Sequence, residues 1–415
     1  MKTRWVLVVV GIGVCALAAG AADWPQWRGP QRNGISKETG LLNEWPQGGP
    51  KLLWQLKDIG YGFSTPAVVG DRLYLCSNKG TDNEFVQALA VKDGRQAWSR
   101  RLGKVGPNRG PQHPGARSTP TVDGELLYAL GSDGDLACLE TATGAVRWHK
   151  DLRTDFGGVP GYWAYAESPL VDGDVVVCTP GGKKATLVAL NKKTGDLIWK
   201  SQVPGGDAAA YASAIVVNAG QVKQYVQFLG KGVVGVDAQT GKFLWRYDKT
   251  GRSPANIPTP VAHNGYVYSG TRAGGGLVKL KVSLGGVEAE PVYLETNLPT
   301  SIGGAVQLGD YLYGTNGRGL LCAEFTTGKV KWQDKCVGAG SVCYADGCLY
   351  VHGEKGDVAL VEATPEAYHE KGRFTPPDQP KRGDNQAWAY PVVANGRLYL
   401  RDLGRLWCYD IRAEK

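Results

Sequence analysis

The chain is poor in the residues on which most enzyme chemistries draw. Its 415 residues hold five histidines and one methionine. The histidines, at 113, 149, 263, 352 and 369, never pair at metal-ligand spacing, which argues against a zinc site. No Gly-x-Ser-x-Gly elbow and no phosphate loop occurs, so the common hydrolase and nucleotide signatures are missing. Nine cysteines are present, but never as Cys-Cys or Cys-x-x-Cys. Most lie in apolar runs such as Val175-Val176-Val177-Cys178, where cysteine acts as a small buried hydrophobe, and mostly free thiols are expected. Cys343 and Cys348 flank Asp346-Gly347 and would sit diagonally, not opposite, across a two-residue turn. No block of Lys or Arg stands out, and a formal charge of +8 is mild for this length, which speaks against nucleic acid as a partner.

Residues 1–22 stand apart. Lys2 and Arg4 precede an apolar run from Trp5, and Ala18-Ala19-Gly20-Ala21-Ala22 supplies small residues for cleavage near Ala21 or Ala22. This is the pattern of an export signal. Its removal would lower the formal charge by two and leave no membrane-spanning segment. Cys15 follows Val14, where a lipoprotein signal wants a small residue. Gly11-Ile12-Gly13-Val14-Cys15-Ala16 matches a dinucleotide fingerprint but lacks the strand-turn-helix setting that gives the motif meaning.

What the chain does have is glycine, 59 residues of it, and a phrase that recurs. Thr143-Gly144 leads to Trp148, Thr194-Gly195 to Trp199, Thr240-Gly241 to Trp245, and Thr327-Gly328 to Trp332; Asp93-Gly94 leads likewise to Trp98. Trp98, 148, 199 and 245 are separated by 50, 51 and 46 residues, a period that means an array of supersecondary units. Each unit opens on a Pro-containing approach (Ser64-Thr65-Pro66, Ser118-Thr119-Pro120, Glu167-Ser168-Pro169). It continues through an apolar strand, a turn such as Asp123-Gly124, Asp172-Gly173, Asn264-Gly265, Asp346-Gly347 or Asn395-Gly396, and a second strand that often contains Leu-Tyr. These dipeptides suit two-residue hairpins. A third strand, the Thr-Gly turn and a fourth strand carrying the Trp complete the unit.

Four antiparallel strands repeated radially make a propeller blade. The spacing predicts an all-β, eight-bladed β-propeller over residues 51–415. The fifth and seventh units lack the Trp. The eighth stops one strand short, and the strand that closes the ring is expected from Pro50 to Leu56, paired with residues 404–410. Residues 23–50, with Trp24, Trp27, Arg28 and Trp45, are expected to pack on a face or rim of the ring, or to serve as a partner-binding arm.

The Thr-Gly-x-x-x-Trp units resemble the tryptophan-docking repeats of quinoprotein-type eight-bladed propellers, with Trp54, Trp98, Trp148, Trp199, Trp245 and Trp332 as docking residues. The resemblance covers the whole chain after residue 22. Propellers of this type include the pyrroloquinoline quinone (PQQ) alcohol dehydrogenases and the scaffold lipoprotein of the outer-membrane β-barrel assembly machine. Trp24-Pro25-Gln26-Trp27-Arg28-Gly29-Pro30 and Tyr165-Ala166-Glu167-Ser168-Pro169 are more similar to exported PQQ-binding-like repeat proteins of planctomycete-type bacteria. The resemblance implies a monomeric exported propeller of the periplasm or cell surface. It would act without catalysis or cofactor as a scaffold for an envelope protein partner or a small molecule in the funnel. Two alternatives stay open. A PQQ- and Ca²⁺-dependent alcohol oxidoreductase would use Arg117 against a cofactor carboxylate and Trp163 or Trp388 as a stacking face, with Glu167, Asn256 and Asp207 as Ca²⁺ ligands. Against it, the vicinal disulfide usual in those dehydrogenases is missing. Glu167 would otherwise bond backbone N–H groups or pair with Arg117. A carbohydrate-binding or carbohydrate-processing propeller would draw on aromatic loops such as Tyr162-Trp163. His113 is the best lone acid/base candidate, against an ordinary loop histidine, and His149 is expected to face solvent.

Overall fold

Eight four-stranded antiparallel sheets follow one another along the chain as the blades of a β-propeller. The computed structural model describes residues 22–107, 113, 115–251, 254–284 and 286–413, so the export signal expected at 1–22 falls outside it but for Ala22. The first strands, which line the hub, are Ala67–Val69, Thr121–Asp123, Leu170–Asp172, Ile215–Ala219, Val261–His263, Ala305–Leu308, Gly340–Ala345 and Val392–Ala394. Middle strands such as Arg72–Lys79 and Gly232–Asp237 are buried almost end to end, because neighbouring blades cover both their faces. That is why they read as unbroken apolar runs and not as alternating patterns. Outer strands such as Gln96–Gly103 are largely exposed. No helix among the described residues is long and apolar enough to cross a membrane.

The hairpins after the first strands divide into two kinds. At Asn264-Gly265, Asp346-Gly347 and Asn395-Gly396 both residues have positive φ and form the two-residue loop. At Asp123 and Asp172 the expectation needs correcting. Each Asp is the last paired residue, and the loops are Gly124-Glu125 and Gly173-Asp174. Only the Gly there adopts positive φ, at 59° and 60°, which needs no help from an Asx residue.

The joints between blades explain the recurring phrase. Trp98, Trp148 and Trp199 each donate an indole N–H across the joint, to the carbonyls of Thr141 (2.9 Å), Lys192 (3.0 Å) and Ala238 (3.2 Å). Each ring lies on the glycine three residues further on. A Cβ built on Gly144, Gly195 or Gly241 would come within 2.6 to 2.8 Å of the Trp ring. The Gly therefore does two things: it turns the chain at φ near +70° and leaves room for the neighbouring indole. Trp54 and Trp332 make the same hydrogen bond, to Val91 and Thr364. Trp245 departs from the pattern and donates within its own blade, to Gln224 Oε1 at 2.6 Å.

The two units without the Trp solve the joint differently. In the fifth, Tyr293 donates its hydroxyl to Phe325 O at 2.8 Å and lies over Gly328, so a tyrosine fills the tryptophan's place. In the seventh, the fourth strand is Glu370–Phe374, and Trp45 from the N-terminal arm packs edge-on against Phe374 at 4.9 Å. The eighth sheet is composite: Lys51–Leu56 pairs antiparallel with Arg405–Asp410.

The arm reaches further in than a rim contact. Trp24 exchanges two backbone hydrogen bonds with Val68, Pro25 O accepts from Val122, and Gly34 and Ser36 bond Tyr344. Arg28 donates to Ala305 O, Arg32 to Ser168 O and Pro169 O, Trp27 Nε1 to Thr259 Oγ1 at 2.9 Å, and Glu38 accepts from Asn395 and Gly396. One segment of under 20 residues thus bonds blades 1, 2, 3, 5, 6, 7 and 8 at or beside their innermost strands. Arg28 and Arg32 are almost wholly buried in the hub.

Candidate functional site

The approach segments to the inner strands gather around the hub, and several of their hydroxyls first serve the ring itself. Thr119 N donates to Ser168 Oγ, Ser168 N to Ser213 Oγ, and Tyr390 N to Thr65 Oγ1, at 2.9, 2.9 and 3.1 Å. Each bond joins one blade to the next. The hydroxyls of Ser168, Ser213 and Thr65 are therefore inter-blade acceptors, whereas Ser64 Oγ accepts Cys76 N within its own blade.

Glu167 lies below this circle, buried. Its carboxylate accepts the Thr179 backbone N–H, the Thr179 hydroxyl (2.7 Å) and Gln227 Nε2 (3.0 Å). Burial pushes its pKa up to about 7 against those hydrogen bonds, and the cation that favours its charged form is Arg32 of the arm, not Arg117. Arg32 itself is brought down to about 10 by burial. Asp207 is committed elsewhere: it ion-pairs with Arg246 at 2.8 Å and accepts Lys231 N at 3.1 Å. The Asn256 side-chain amide donates to Leu229 O and Gly230 O at 2.7 and 3.0 Å. The three groups read as Ca²⁺ ligands thus hold the fold itself: Asp207 and Asn256 both pin the turn at 229–231, and Glu167 ties Thr179 to Gln227. A Ca²⁺ ion wants six or more convergent oxygens, so these residues do not fit it as they stand. Among the described residues no group of three or more His, Cys, Asp or Glu could hold a metal.

Nearer the mouth the picture changes. Arg117, half-buried, donates to Gly115 O (3.1 Å) and His113 O, and its guanidinium stands 5.9 Å from the centre of the Phe63 ring. Burial lowers its pKa to about 10; Glu84, Tyr211 and Tyr61 oppose that shift. Phe63 meets Tyr61 at 5.8 Å and Trp388 at 5.2 Å, and Trp388 meets the His113 ring at 5.1 Å. His113 Nδ1 is 2.8 Å from Asn385 Oδ1. On the other flank Trp163 packs against Tyr162 and Tyr211. Arg117 and Trp388 are thereby brought together, with Trp163 on the far side of Tyr211 and Glu167 bound into a different network.

Sequence reasoning missed three participants. Tyr61 and Phe63 precede Ser64-Thr65-Pro66, and their signal was available in that position relative to the approach motif. Glu84 had none: it is the second residue of the strand Asn83–Ala90, accepts Ser132 N at 3.0 Å and the Ser132 hydroxyl, and is pushed by burial to about 7. His149 is exposed, as its place on an outer strand implies, and lies 3.0 Å from Asp135. All eight described cysteines are buried free thiols.

Comparison with known proteins adds a family and a fold. The family described as outer membrane protein assembly factor BamB matches residues 36–184 and 82–334. The chain is 28% identical over 189 residues to the quinoprotein alcohol dehydrogenase PedH of Pseudomonas putida, 44% of this chain and 29% of that protein. It is 27% identical over 264 residues to the outer membrane protein assembly factor BamB of Alteromonas naphthalenivorans, 57% of this chain and 58% of that protein. The chain thus spans less than two thirds of the length of either relative. The crystal structure of BamB from Moraxella catarrhalis superimposes with a TM-score of 0.60 at 17% identity, covering 87% of this chain and 98% of that one, a likeness of fold.

Proposed function

The chain belongs to the family described as outer membrane protein assembly factor BamB, and from that premise we propose that it is a non-catalytic binding scaffold of the bacterial envelope. On this reading residues 1–22 direct export to the periplasm or cell surface. Residues 23–50 form the arm that fills the hub, and residues 51–415 form a ring that holds a protein partner or small ligand at the funnel mouth. The supporting observation is the spending of the polar hub. Glu167, Asp207 and Asn256, the groups a redox cofactor's metal would need, are each already engaged by the fold: Glu167 by Thr179 and Gln227, Asp207 by Arg246 and Lys231, and Asn256 by Leu229 and Gly230.

A quinone-dependent alcohol oxidoreductase is the second reading, favoured by Arg117 beside the Phe63 and Trp388 rings. PQQ would supply the redox chemistry, and Arg117 could bind one of its carboxylates. The oxygen ligands do not fit the accompanying Ca²⁺. The test is reconstitution of the purified protein with PQQ and Ca²⁺, with dye-linked oxidation of primary alcohols as the readout. The scaffold reading expects no alcohol-dependent dye reduction and no saturable Ca²⁺-dependent quenching of tryptophan fluorescence. Turnover that disappears in Glu167→Gln would overturn it.

A further inference from the structure

The mouth of the funnel has a composition unlike the rest of the hub. Below it, polar side chains are consumed by the fold. At the mouth, Arg117 makes no ion pair among the described residues, and the two bonds it donates, to Gly115 O and His113 O, leave part of a five-donor fork for something else. Aromatic rings continue the wall on both sides of it. Phe63 and Trp388 stand on one flank and Tyr211, Trp163 and Tyr162 on the other, and Tyr162 is exposed.

The orientation of these rings limits what they can hold. Their planes meet at 45° (Phe63–Trp388), 46° (Trp163–Tyr211) and 88° (Tyr162–Trp163). No contacting pair is parallel, so neighbouring rings do not stack into one continuous flat face. They offer several separate apolar faces along a curved wall. Separate faces suit a chain of puckered rings whose C–H surfaces rest on aromatics one at a time, and these are pyranose rings. A guanidinium in the middle of that wall adds a bidentate preference for carboxylate or sulfate.

We infer that the funnel mouth binds an anionic saccharide, a pyranose chain carrying a carboxylate or sulfate group that Arg117 takes while Trp163 and Trp388 stack on flanking sugars. This inference rests on the binding-scaffold reading and supplies its ligand class. A neutral saccharide can use the rings but not Arg117. The guanidinium then stays partly desolvated with only the field of Glu84, which makes no ion pair with it, as counter-charge, so anionic chains bind more tightly than neutral ones of the same length.

The test is calorimetric titration of the intact protein with three probes of similar length: oligogalacturonate, a sulfated galactan oligosaccharide and a neutral galacto-oligosaccharide. PQQ with Ca²⁺ is a fourth. The expected result is saturable binding of at least one anionic probe, roughly ten-fold or more tighter than the neutral one, with a comparable loss in Arg117→Met. Which anionic probe wins tells carboxylate from sulfate. Arg117→Lys keeps the charge without the fork and should fall between. Trp163→Ala should weaken all saccharides alike, so these two variants decide the matter if Arg117→Met does not fold. Equal binding of neutral and anionic probes, or binding indifferent to Arg117 and Trp163, overturns the inference. Absence of all saccharide binding overturns it too, while leaving the scaffold reading standing for a protein partner. Binding of PQQ alone overturns it and, if alcohol oxidation follows, overturns the scaffold reading as well.

Discussion

The rim and the hub of this ring solve the same problem, holding blades together, with opposite kinds of sequence. At the rim one joint is repeated: an indole from one blade lies on a glycine of the next and bonds a carbonyl three residues before it. At the hub a single unrepeated segment does the holding, with Arg28, Arg32 and Trp27 each reaching a different blade. Repetition spreads the cost of any one failure, since a tyrosine serves at Tyr293 and an arm residue, Trp45, at the seventh joint. The arm has no such redundancy, but it ties blades that are far apart around the circle.

Substitutions can break this contrast in order of size. Trp199→Ala removes a ring that is 8% exposed together with its hydrogen bond, and should cost about 3–5 kcal/mol in chemical denaturation. Gly241→Ala forces a Cβ to 2.6 Å from that ring at φ +73° and should cost about 3 kcal/mol. Made together, the two should cost clearly less than their sum, because the clash vanishes with the indole. A strictly additive double variant would mean that Gly241 serves the turn alone. Gly173→Ala, at φ +60° with nothing within 4 Å, is the control and should cost only about 1 kcal/mol.

At the hub, Arg28→Met leaves the Asn33 and Ala305 carbonyls without their donor and should cost about 1–3 kcal/mol. The smallest expected effect is on pH dependence. Glu84 and Glu167 are raised by burial to about 7, above an unfolded value near 4.5, so the folded state binds more protons between those limits. Their contribution is fully present below pH 4.5 and is lost as pH rises towards and through 7. Melting temperature should therefore decline over this window for the wild type and decline less in Glu167→Gln. An identical slope in both would mean that Glu167 is not held partly protonated.

The contrast also explains what could be read from the residues alone. The blades, their order and the docking tryptophans were legible because one physical requirement recurs every fifty residues or so, and recurrence is visible. The Tyr293 joint was half-visible, as an aromatic on the fourth strand of a unit that lacked its Trp. The hub was not visible. Arg28 meets a carbonyl 277 residues away, and nothing near either partner announces the pairing. The site divided in the same way. Arg117 and Trp388 came together as a charged and an aromatic residue on the approach loops of blades 2 and 8, with Phe63 of the blade 1 approach between them, whereas Glu167 was drawn off by Thr179 and Gln227, whose hydrogen bonds depend on strand register.

The account turns on the arm filling the hub, and amide hydrogen exchange tests it most directly. The amides of Trp24, Gly34 and Ser36 donate to Val68, Arg28 and Tyr344 within the hub, so they should exchange as slowly as the strands that line it, such as Val392–Ala394. Exchange of these amides within seconds, while the blades stay protected, would contradict the account and return the arm to the surface.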